Sequence, residues 1–236
     1  MPISLTLGAR RLRFRCPFLV LALAGCVLFT SLGLWQWGRG ERRERDWAAY
    51  EQAAKAPPLA VTTDRLGQLP RHTRIRIDGR FEPDRQFLLD NITRDGKPGY
   101  EILTPFLLAD GNVLLVDRGW IAFSGYRDRL PDLPPADAEP RTLAGRLADL
   151  PVPGMASGRA APAADAAWPK VTSFPRREDL AVALGRTVVA PILVIAADDR
   201  PPGFEPARNY SYAIQWWSFA GLTLLLFVLL NLEKRR

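Results

Sequence analysis

The chain has 236 residues, 47% of them hydrophobic, and a formal net charge of +7, a size that suits one domain with additional segments. The basic excess lies at the two ends, because the chain without its seven terminal basic residues and Glu233 holds 25 basic and 24 acidic residues. Nucleic-acid binding needs a concentrated basic face, so the composition predicts no nucleic acid among the partners.

The first predicted element is a transmembrane helix at 17–37, a stretch of 21 residues without Asp, Glu, Lys or Arg. About 20 apolar helical residues cross the roughly 30 Å hydrocarbon layer of a bilayer. Its preceding segment, 1–16, contains four arginines and no acidic residue. Small residues that end in an aromatic ring form one stripe of this helix, which permits close contact with a second helix: Cys26, Thr30, Gly33 and Trp37.

A bacterial lipoprotein signal is the alternative for this segment, because the sequence LAGC at 23–26 resembles its cleavage site. Cleavage there would leave Cys26 lipidated. The apolar run continues to Trp37, however, whereas signal peptides have apolar cores of about 7–15 residues. The sequence therefore favours a retained helix.

The chain from 38 to 208 is predicted to form a β-rich domain. A helix continues from the membrane as far as Pro57, and the hydrophobic period then changes from that of a helix to the alternation of strands. One more helix is predicted at 175–185, begun by Ser173 or Phe174-Pro175. The predicted strands follow one another at 71–81, 85–91, 100–108, 112–123, 141–147, 168–174 and 187–198.

This order predicts an α+β domain that consists mainly of antiparallel strands in a curved or barrel-like sheet. Ala109-Asp110-Gly111 is a strong hairpin signal between two of the strands. The Pro/Ala-rich stretches 130–140 and 151–167 lack periodicity and are expected to be mobile loops.

A second transmembrane helix is predicted at 209–232, where 24 residues again lack charged side chains. Polar and aromatic groups share one stripe of it: Asn209, Tyr212, Gln215 or Trp216, Phe219 and Thr223. This stripe fits an aromatic belt with ordinary helix pairing. It equally fits an interfacial pocket for a planar apolar ligand or a partner helix, and the pattern leaves both open.

Two spans put both termini on one side of the membrane. Short basic flanks stay cytoplasmic, and a long loop is exported whatever its charge. The sequence therefore predicts that 1–16 and the tail 233–236 are cytoplasmic, that 17–37 and 209–232 cross the membrane, and that 38–208 lies outside.

Residues that carry chemistry are scarce in the predicted exported domain. Cys16 and Cys26 belong to the first span or its edge, so the domain has no cysteine for a disulfide or metal site. His72, the single histidine, is expected at the surface rather than as a base or ligand. Three carboxylates are expected to be solvated turn residues: Asp90, Asp95 and Asp117. We therefore predict no catalytic residue and no metal site.

Four stretches, spread over most of the chain, form a specific combination: LGLWQWGR (32–39), IRIDGRFEPDRQFLLDN (75–91), PGYEILTPFLLADGNVLLVDRGW (98–120) and YAIQWW (212–217). In this order, and with the two-span hairpin, they resemble the Surfeit locus protein family, the assembly factors of haem–copper cytochrome oxidase. The element 116–120 has the pattern V-x-R-G-W. Its simplest interpretation is a strand end with a glycine bend and a buried indole.

The resemblance implies a non-enzymatic helper that assists maturation of oxidase subunit I, alongside other assembly factors, with haem a passing through or near it. Family members carry a histidine, regarded as the haem iron ligand, where this chain has Asn209, and asparagine is a poor iron ligand. Two alternatives remain: the haem would instead stack on Trp216 with its propionates against arginines, or the chain would assist assembly through protein–protein contacts alone. The cofactor-binding residues expected from the resemblance are Tyr212, Gln215, Trp216, Arg39, Arg208 and Asn209.

Arginine outnumbers lysine 28 to four, as in GC-rich bacterial genomes, and the N-terminal segment is short for a transit peptide. We therefore expect a multi-pass protein of the bacterial inner membrane. Two alternatives remain open: a membrane-anchored exported enzyme that acts on lipid or peptidoglycan precursors and relies on His72, or a structural partner of another membrane complex.

Overall fold

The computed structural model describes residues 2–7, 10–126, 129–153, 159–195, 201 and 203–234. The helices are α1 (Cys16–Lys55), α2 (Thr63–Leu66), α3 (Arg177–Leu184) and α4 (Pro206–Asn231). The strands are β1 (Pro2–Leu7), β2 (Arg10–Arg15), β3 (Leu59–Ala60), β4 (Arg74–Phe81), β5 (Phe87–Arg94), β6 (Lys97–Leu107), β7 (Val113–Ala122), β8 (Arg141–Ala148), β9 (Lys170–Thr172), β10 (Ile192–Val194) and β11 (Leu232–Lys234).

The chain divides into two compact units. The first comprises Met1–Ala48 and Pro201–Arg236, and the second comprises Ala49–Arg200. Two helices, α1 with 40 residues and α4 with 26, are long and apolar enough to cross a membrane. The predicted span 17–37 lies inside α1, which continues to Lys55 as the sequence predicted. The predicted span 209–232 extends one residue beyond α4, because Leu232 begins β11.

The first unit also contains a three-stranded sheet that the sequence analysis did not predict, in the order β1-β2-β11. Its central strand, β2, alternates arginines with Leu12 and Phe14, and both apolar side chains are buried. Phe14 meets Phe227 of α4 with ring centroids 5.5 Å apart. The alternation of apolar and basic residues over 12–15 has the period of a strand and is the local signal of β2. Residues 235–236 of the predicted tail lie outside the described residues.

The second unit is a barrel-like sheet of eight strands in the order β3-β4-β8-β10-β7-β6-β5-β9. It closes because the end of β4 also pairs with the end of β6, with Arg80 opposite Leu107 and Phe81 opposite Phe106. Most neighbours are antiparallel, while the pairs β3–β4, β10–β7 and β5–β9 are parallel. The predicted fold class, two apolar helices flanking a barrel-like β domain, is therefore confirmed.

Two main apolar cores stabilise this sheet. One includes Ile75, Phe106 and Val116 and lies on the barrel's inner face. The second lies between the sheet and α3, where Leu180 and Leu184 are buried. Burial of apolar side chains on both faces explains why the first four residues of β7, Val113–Val116, are continuously apolar instead of alternating.

The bounds of several predicted elements differ from those in the structure, and for two of them the contacts give the reason. Helix α3 begins at Arg177, later than expected, because the Asp179 carboxylate accepts the Arg176 N–H at 2.9 Å and caps the helix there. The apolar run at 187–195 contains only the three-residue strand β10, since Pro191 has no N–H to donate to a ladder. The predicted strand end at 196–198 lies outside the described residues.

Both predicted mobile loops have specific contacts. The Arg118 guanidinium donates to the carbonyls of Pro134 at 3.1 Å and Pro135 at 2.5 Å. In the second loop, Ala160 and Ser173 exchange two backbone hydrogen bonds. Buried Lys170 donates to the carbonyls of Ala163 and Ala164. Residues 154–158 of that loop lie outside the described residues.

The closure of the barrel depends on a close backbone approach at Gly79. A Cβ atom at this position would lie 2.5 Å from the Leu107 carbonyl oxygen and 2.5 Å from the Phe106 ring. We expect Gly79→Ala to destabilise the fold by about 2 kcal/mol through overpacking, measured by thermal unfolding of the purified full-length protein. Gly67→Ala is the control, because its nearest neighbour would be 3.9 Å away. Equal melting temperatures for the two variants would contradict the closure described.

Candidate functional site

The two long helices of the first unit pack through glycines that receive aromatic rings. A Cβ atom at Gly33 would lie 2.2 Å from Nε1 of Trp217, and one at Gly40 would lie 2.7 Å from the Tyr210 ring. Both pairs are seven residues apart along their helices, so the same face of each helix is used twice. We call these four residues the seam. Its two helices run antiparallel, because the later glycine of α1 meets the earlier ring of α4.

The predicted small-residue stripe of α1 is largely part of this contact. Cys26 Sγ lies 3.6 Å from the Ala220 carbonyl oxygen, and Gly33 is buried. The Trp37 ring centroid is 4.6 Å from that of Tyr210. Thr30 is exposed, so that member of the stripe does not take part in the packing.

One flank of the seam carries polar contacts to acidic side chains of α1. Trp37 Nε1 donates to Glu41 at 3.0 Å, and the Tyr210 hydroxyl donates to Glu44 at 2.7 Å. Two of the aromatic residues at the start of α4, Tyr210 and Trp217, are thus structural, since they hold the helices together.

The opposite flank of the seam carries an aromatic cluster. The Trp216 ring stacks on Phe29 with centroids 5.8 Å apart and planes at 19°. Phe219 meets the same two rings, at 5.8 Å from Phe29 and 5.9 Å from Trp216. Trp216 and Phe219 belong to the predicted stripe of α4. Phe29 was not predicted, although it lies between Cys26 and Thr30 of the small-residue stripe.

Gln36, Asn209 and Tyr212 continue this flank by two helical turns. Gln36 follows Phe29 by seven residues, while Asn209 and Tyr212 precede Trp216 and Phe219 by seven. Because the helices are antiparallel, Gln36 lies level with Asn209 and Tyr212. We call the set of six residues on this flank the lateral face: Phe29, Gln36, Asn209, Tyr212, Trp216 and Phe219.

The polar side chains of the lateral face differ in exposure. Asn209 is buried at 8%, and Tyr212 is 40% exposed. The Oε1 atom of Gln36 is buried and has no hydrogen-bond partner among the described residues. A buried amide oxygen without a donor is costly. The lateral face thus combines aromatic rings with one unsatisfied acceptor.

The other predicted site residues lie beside this face rather than on it. Gln215 is exposed. The Arg39 guanidinium lies 5.6 Å from the Trp35 ring centroid, and that of Arg208 lies 4.3 Å from the Phe204 ring centroid. Arg208 lies in the first turn of α4, beside Asn209, and Arg39 lies in the middle of α1, three residues after Gln36.

The lateral face fits a planar apolar group better than it fits a coordinated iron. Haem iron is usually held by His, Met, Cys or Tyr, and of the six side chains only the Tyr212 phenol belongs to this set. No group of three or more His, Cys, Asp or Glu side chains that could hold a metal occurs in the described parts of the chain. The rings of Trp216 and Phe29, by contrast, supply flat apolar surface.

His72, in the second unit, is buried at 3%, so the expectation of a surface imidazole is wrong. Arg146 Nη1 lies 3.0 Å from His72 Nδ1. A guanidinium only donates, so Nδ1 accepts and the imidazole is neutral. The His72 backbone has a φ of 70°, a conformation that His tolerates better than most residues. These contacts make His72 a structural residue.

The element Arg118-Gly119-Trp120 of β7 forms hydrogen bonds to the loop at Pro134 and Pro135 and to β5. The sheet register shifts here, Gly119 has a φ of 111°, and its N–H donates to Asp117 Oδ1 at 2.9 Å. Trp120 Nε1 donates to the Ile92 carbonyl at 3.1 Å. The pKa of Arg118 is lowered, mainly because the guanidinium is partly buried and secondly because the Arg141 guanidinium is nearby. The predicted glycine bend is present, whereas Asp117 is buried at 5%, not a solvated turn residue.

Comparison with known proteins gives one consistent result. The model of the SURF1 family matches residues 23–221. An uncharacterized SURF1-like protein of Mycobacterium bovis is 26% identical over 226 residues, which cover 89% of this chain and 81% of the relative. A SURF1-like protein of Monosiga brevicollis is 26% identical over 87% of this chain and 84% of its own length. One from Rickettsia felis is 32% identical over 41% of this chain and 42% of its own.

The seam predicts that Gly33 tolerates no side chain. We expect Gly33→Ala to lower the free energy of unfolding by about 1–3 kcal/mol, because the added methyl group overlaps the Trp217 indole. Gly38→Ala is the matched control in the same helix, since its nearest neighbour would be 4.0 Å away. Thermal unfolding in detergent measures both. A Gly33→Ala protein as stable as Gly38→Ala would mean that the seam is misplaced.

The His72 contacts predict a loss of stability on substitution. His72→Ala removes the acceptor of the Arg146 guanidinium, and we expect a cost of about 2 kcal/mol in the free energy of unfolding. His72→Asn should lose less, because Asn tolerates a positive φ and offers Oδ1 near the position of Nδ1. Chemical denaturation of the two variants measures the difference. Equal losses would show that the hydrogen bond contributes little.

Proposed function

We propose, since the chain belongs to the SURF1 family, that it is an assembly factor for haem–copper cytochrome oxidase in the bacterial inner membrane. It assists maturation of oxidase subunit I together with other assembly factors, and it holds haem a in passing. The lateral face is the observation that carries the haem part of this proposal, because a stacked Trp216–Phe29 pair offers flat apolar surface at the side of a membrane helix pair.

The proposed orientation places both termini in the cytoplasm and 38–208 outside. It is supported by the four arginines of 1–16 and the basic tail, since short basic flanks stay on the cytoplasmic side. In this orientation Gln36, at the end of the predicted span 17–37, and Asn209, at the start of the span 209–232, lie at the outer surface. The bilayer itself is then the first partner of the chain.

Haem a is the proposed cargo, and this chain's own residues would hold it at the periphery of its ring. Trp216, Phe29 and Phe219 pack against the apolar face. Arg39 and Arg208 are placed at the outer end of the lateral face, where they can pair with propionates. Tyr212, Asn209 and Gln215 supply polar contacts. Without the family histidine, the iron is not held by an imidazole of this site, which suits a cargo that must be released.

The proposal assigns no catalytic step to the chain. An exported enzyme would rely on His72, the only histidine, and the Arg146 contact occupies its Nδ1 atom. That contact does not support a role as general base. A structural partner of another membrane complex would bind neither oxidase subunits nor haem, and co-purification in mild detergent separates this alternative from ours.

Two measurements test the proposal. Deletion of the gene should lower the assembled oxidase and its haem a absorbance while subunit transcripts remain unchanged. Protein purified from cells that make haem a should show a Soret band, which Phe29→Ala reduces several-fold through loss of ring stacking. Phe18→Ala is the matched control, because Phe18 lies on the same helix and is 55% exposed.

The outcomes separate the parts of the proposal. An unchanged oxidase spectrum in the deletion strain would refute the assembly role. A colourless wild-type protein would refute haem carriage alone and leave assembly through protein contacts. A Soret band that Phe18→Ala weakens as much as Phe29→Ala would show that haem does not bind at the lateral face.

A further inference from the structure

Helix α3 of the second unit exposes a large apolar side chain at the middle of its outer face. Val182 is 83% exposed, and a single exposed valine is ordinary on a protein surface. Val182, however, lines a groove with a volume of about 750 Å³, which extends from α3 across the segment 186–190 to α2. We call it the α3 groove. Its apolar lining includes Ala181, Val182, Val188, Val189 and Ala190.

Opposite charges flank Val182 along the α3 groove, and both line it. Glu178 lies four residues before Val182, in the first turn of the helix, and Arg186 lies two residues past the helix end. Glu178 Oε1 accepts from Arg177 at 3.0 Å, and Arg186 Nη1 donates to Glu82 Oε1 at 2.5 Å. A guanidinium has five donors and a carboxylate has two oxygens, so each group can form a second ion pair.

The order of acid, valine and arginine is complementary to itself in the reverse direction. When two copies of a protein meet about a two-fold axis, residue i of one meets residue j of the other and the converse also holds. Val182 is four residues from both Glu178 and Arg186. With the axis at Val182, the two valines therefore meet, and each Glu178 meets the Arg186 of the other copy. A parallel arrangement would bring like charges together, which is unfavourable.

We propose that the α3 groove is a contact surface between two copies of this chain, related by a two-fold axis at Val182. The valine of each copy covers apolar lining of the other copy's groove, and two ion pairs fix the antiparallel direction. A contact that centres on one helix of 8 residues is smaller than a permanent interface, so the association is weak and reversible. This inference goes beyond the proposed function and does not depend on haem.

Disulfide formation tests the contact directly, because a cysteine on a two-fold axis meets its own counterpart. In membranes that contain the full-length protein, mild oxidation of Val182→Cys should give a disulfide-linked dimer, several-fold more of it than Val152→Cys gives. Val152 is the matched control, since it is an exposed valine of the same unit, at 73%. The wild type, with its free Cys16 and Cys26, measures any dimer that the native thiols form.

Charge reversal tests the antiparallel direction. Glu178→Arg places two arginines against each other at both ion pairs, so self-association, measured by sedimentation in detergent, should weaken about tenfold. Arg186→Glu should weaken it likewise. In a mixture of the two variants, the mixed dimer has opposite charges at both contacts again, so mixing should restore the association.

The results that overturn the proposal are specific. A Val182→Cys dimer no more abundant than that of Val152→Cys would refute the contact, and so would a disulfide of Val182→Cys to a different protein in place of the dimer. Glu178→Arg protein that self-associates as strongly as the wild type would refute the ion pairs. The crosslinking result stands by itself if Arg186→Glu, which also loses its contact with Glu82, fails to fold.

Discussion

The packing of two aromatic rings into two glycines is the contact on which the first unit depends. Lipid tails are as apolar as leucine side chains, so helices in a membrane associate through close van der Waals contact instead of the hydrophobic effect. Gly33 with Trp217 and Gly40 with Tyr210 provide that contact twice. The spacing of seven residues fixes the register of α1 against α4, and the register then determines which residues share the lateral face.

The second unit depends on a different constraint, because its sheet must close on itself. Closure joins the ends of β4 and β6, which are separated by β5 in sequence. A non-local pairing of this kind needs a close approach, and Gly79 provides the space for it. Polar side chains then fix the connections: Arg118 holds the loop at Pro134 and Pro135, and Trp120 reaches the Ile92 carbonyl.

Local patterns predicted the local structure well. Hydropathy located both apolar helices, and the turn at Asp110-Gly111 correctly predicted the hairpin of β6 and β7. The parallel pairing of β10 with β7 and the burial of His72 depend on residues distant in sequence, where no local pattern exists. The site shows the same limit: the α4 stripe identified Trp216 and Phe219, whereas Phe29 and Gln36 gain their importance from the register of the partner helix.

The edge strands of the second unit determine whether two copies of the chain can pair through their sheets. Strand β9 has three residues, and its outer side is met by Ala160 through the two backbone hydrogen bonds with Ser173. At the opposite edge, β3 has two residues. Sheets with long free edges recruit further strands and aggregate. Proteins confined to a membrane plane collide often. In the described part of this chain, neither edge strand of this sheet is long enough to pair stably with a strand of another copy.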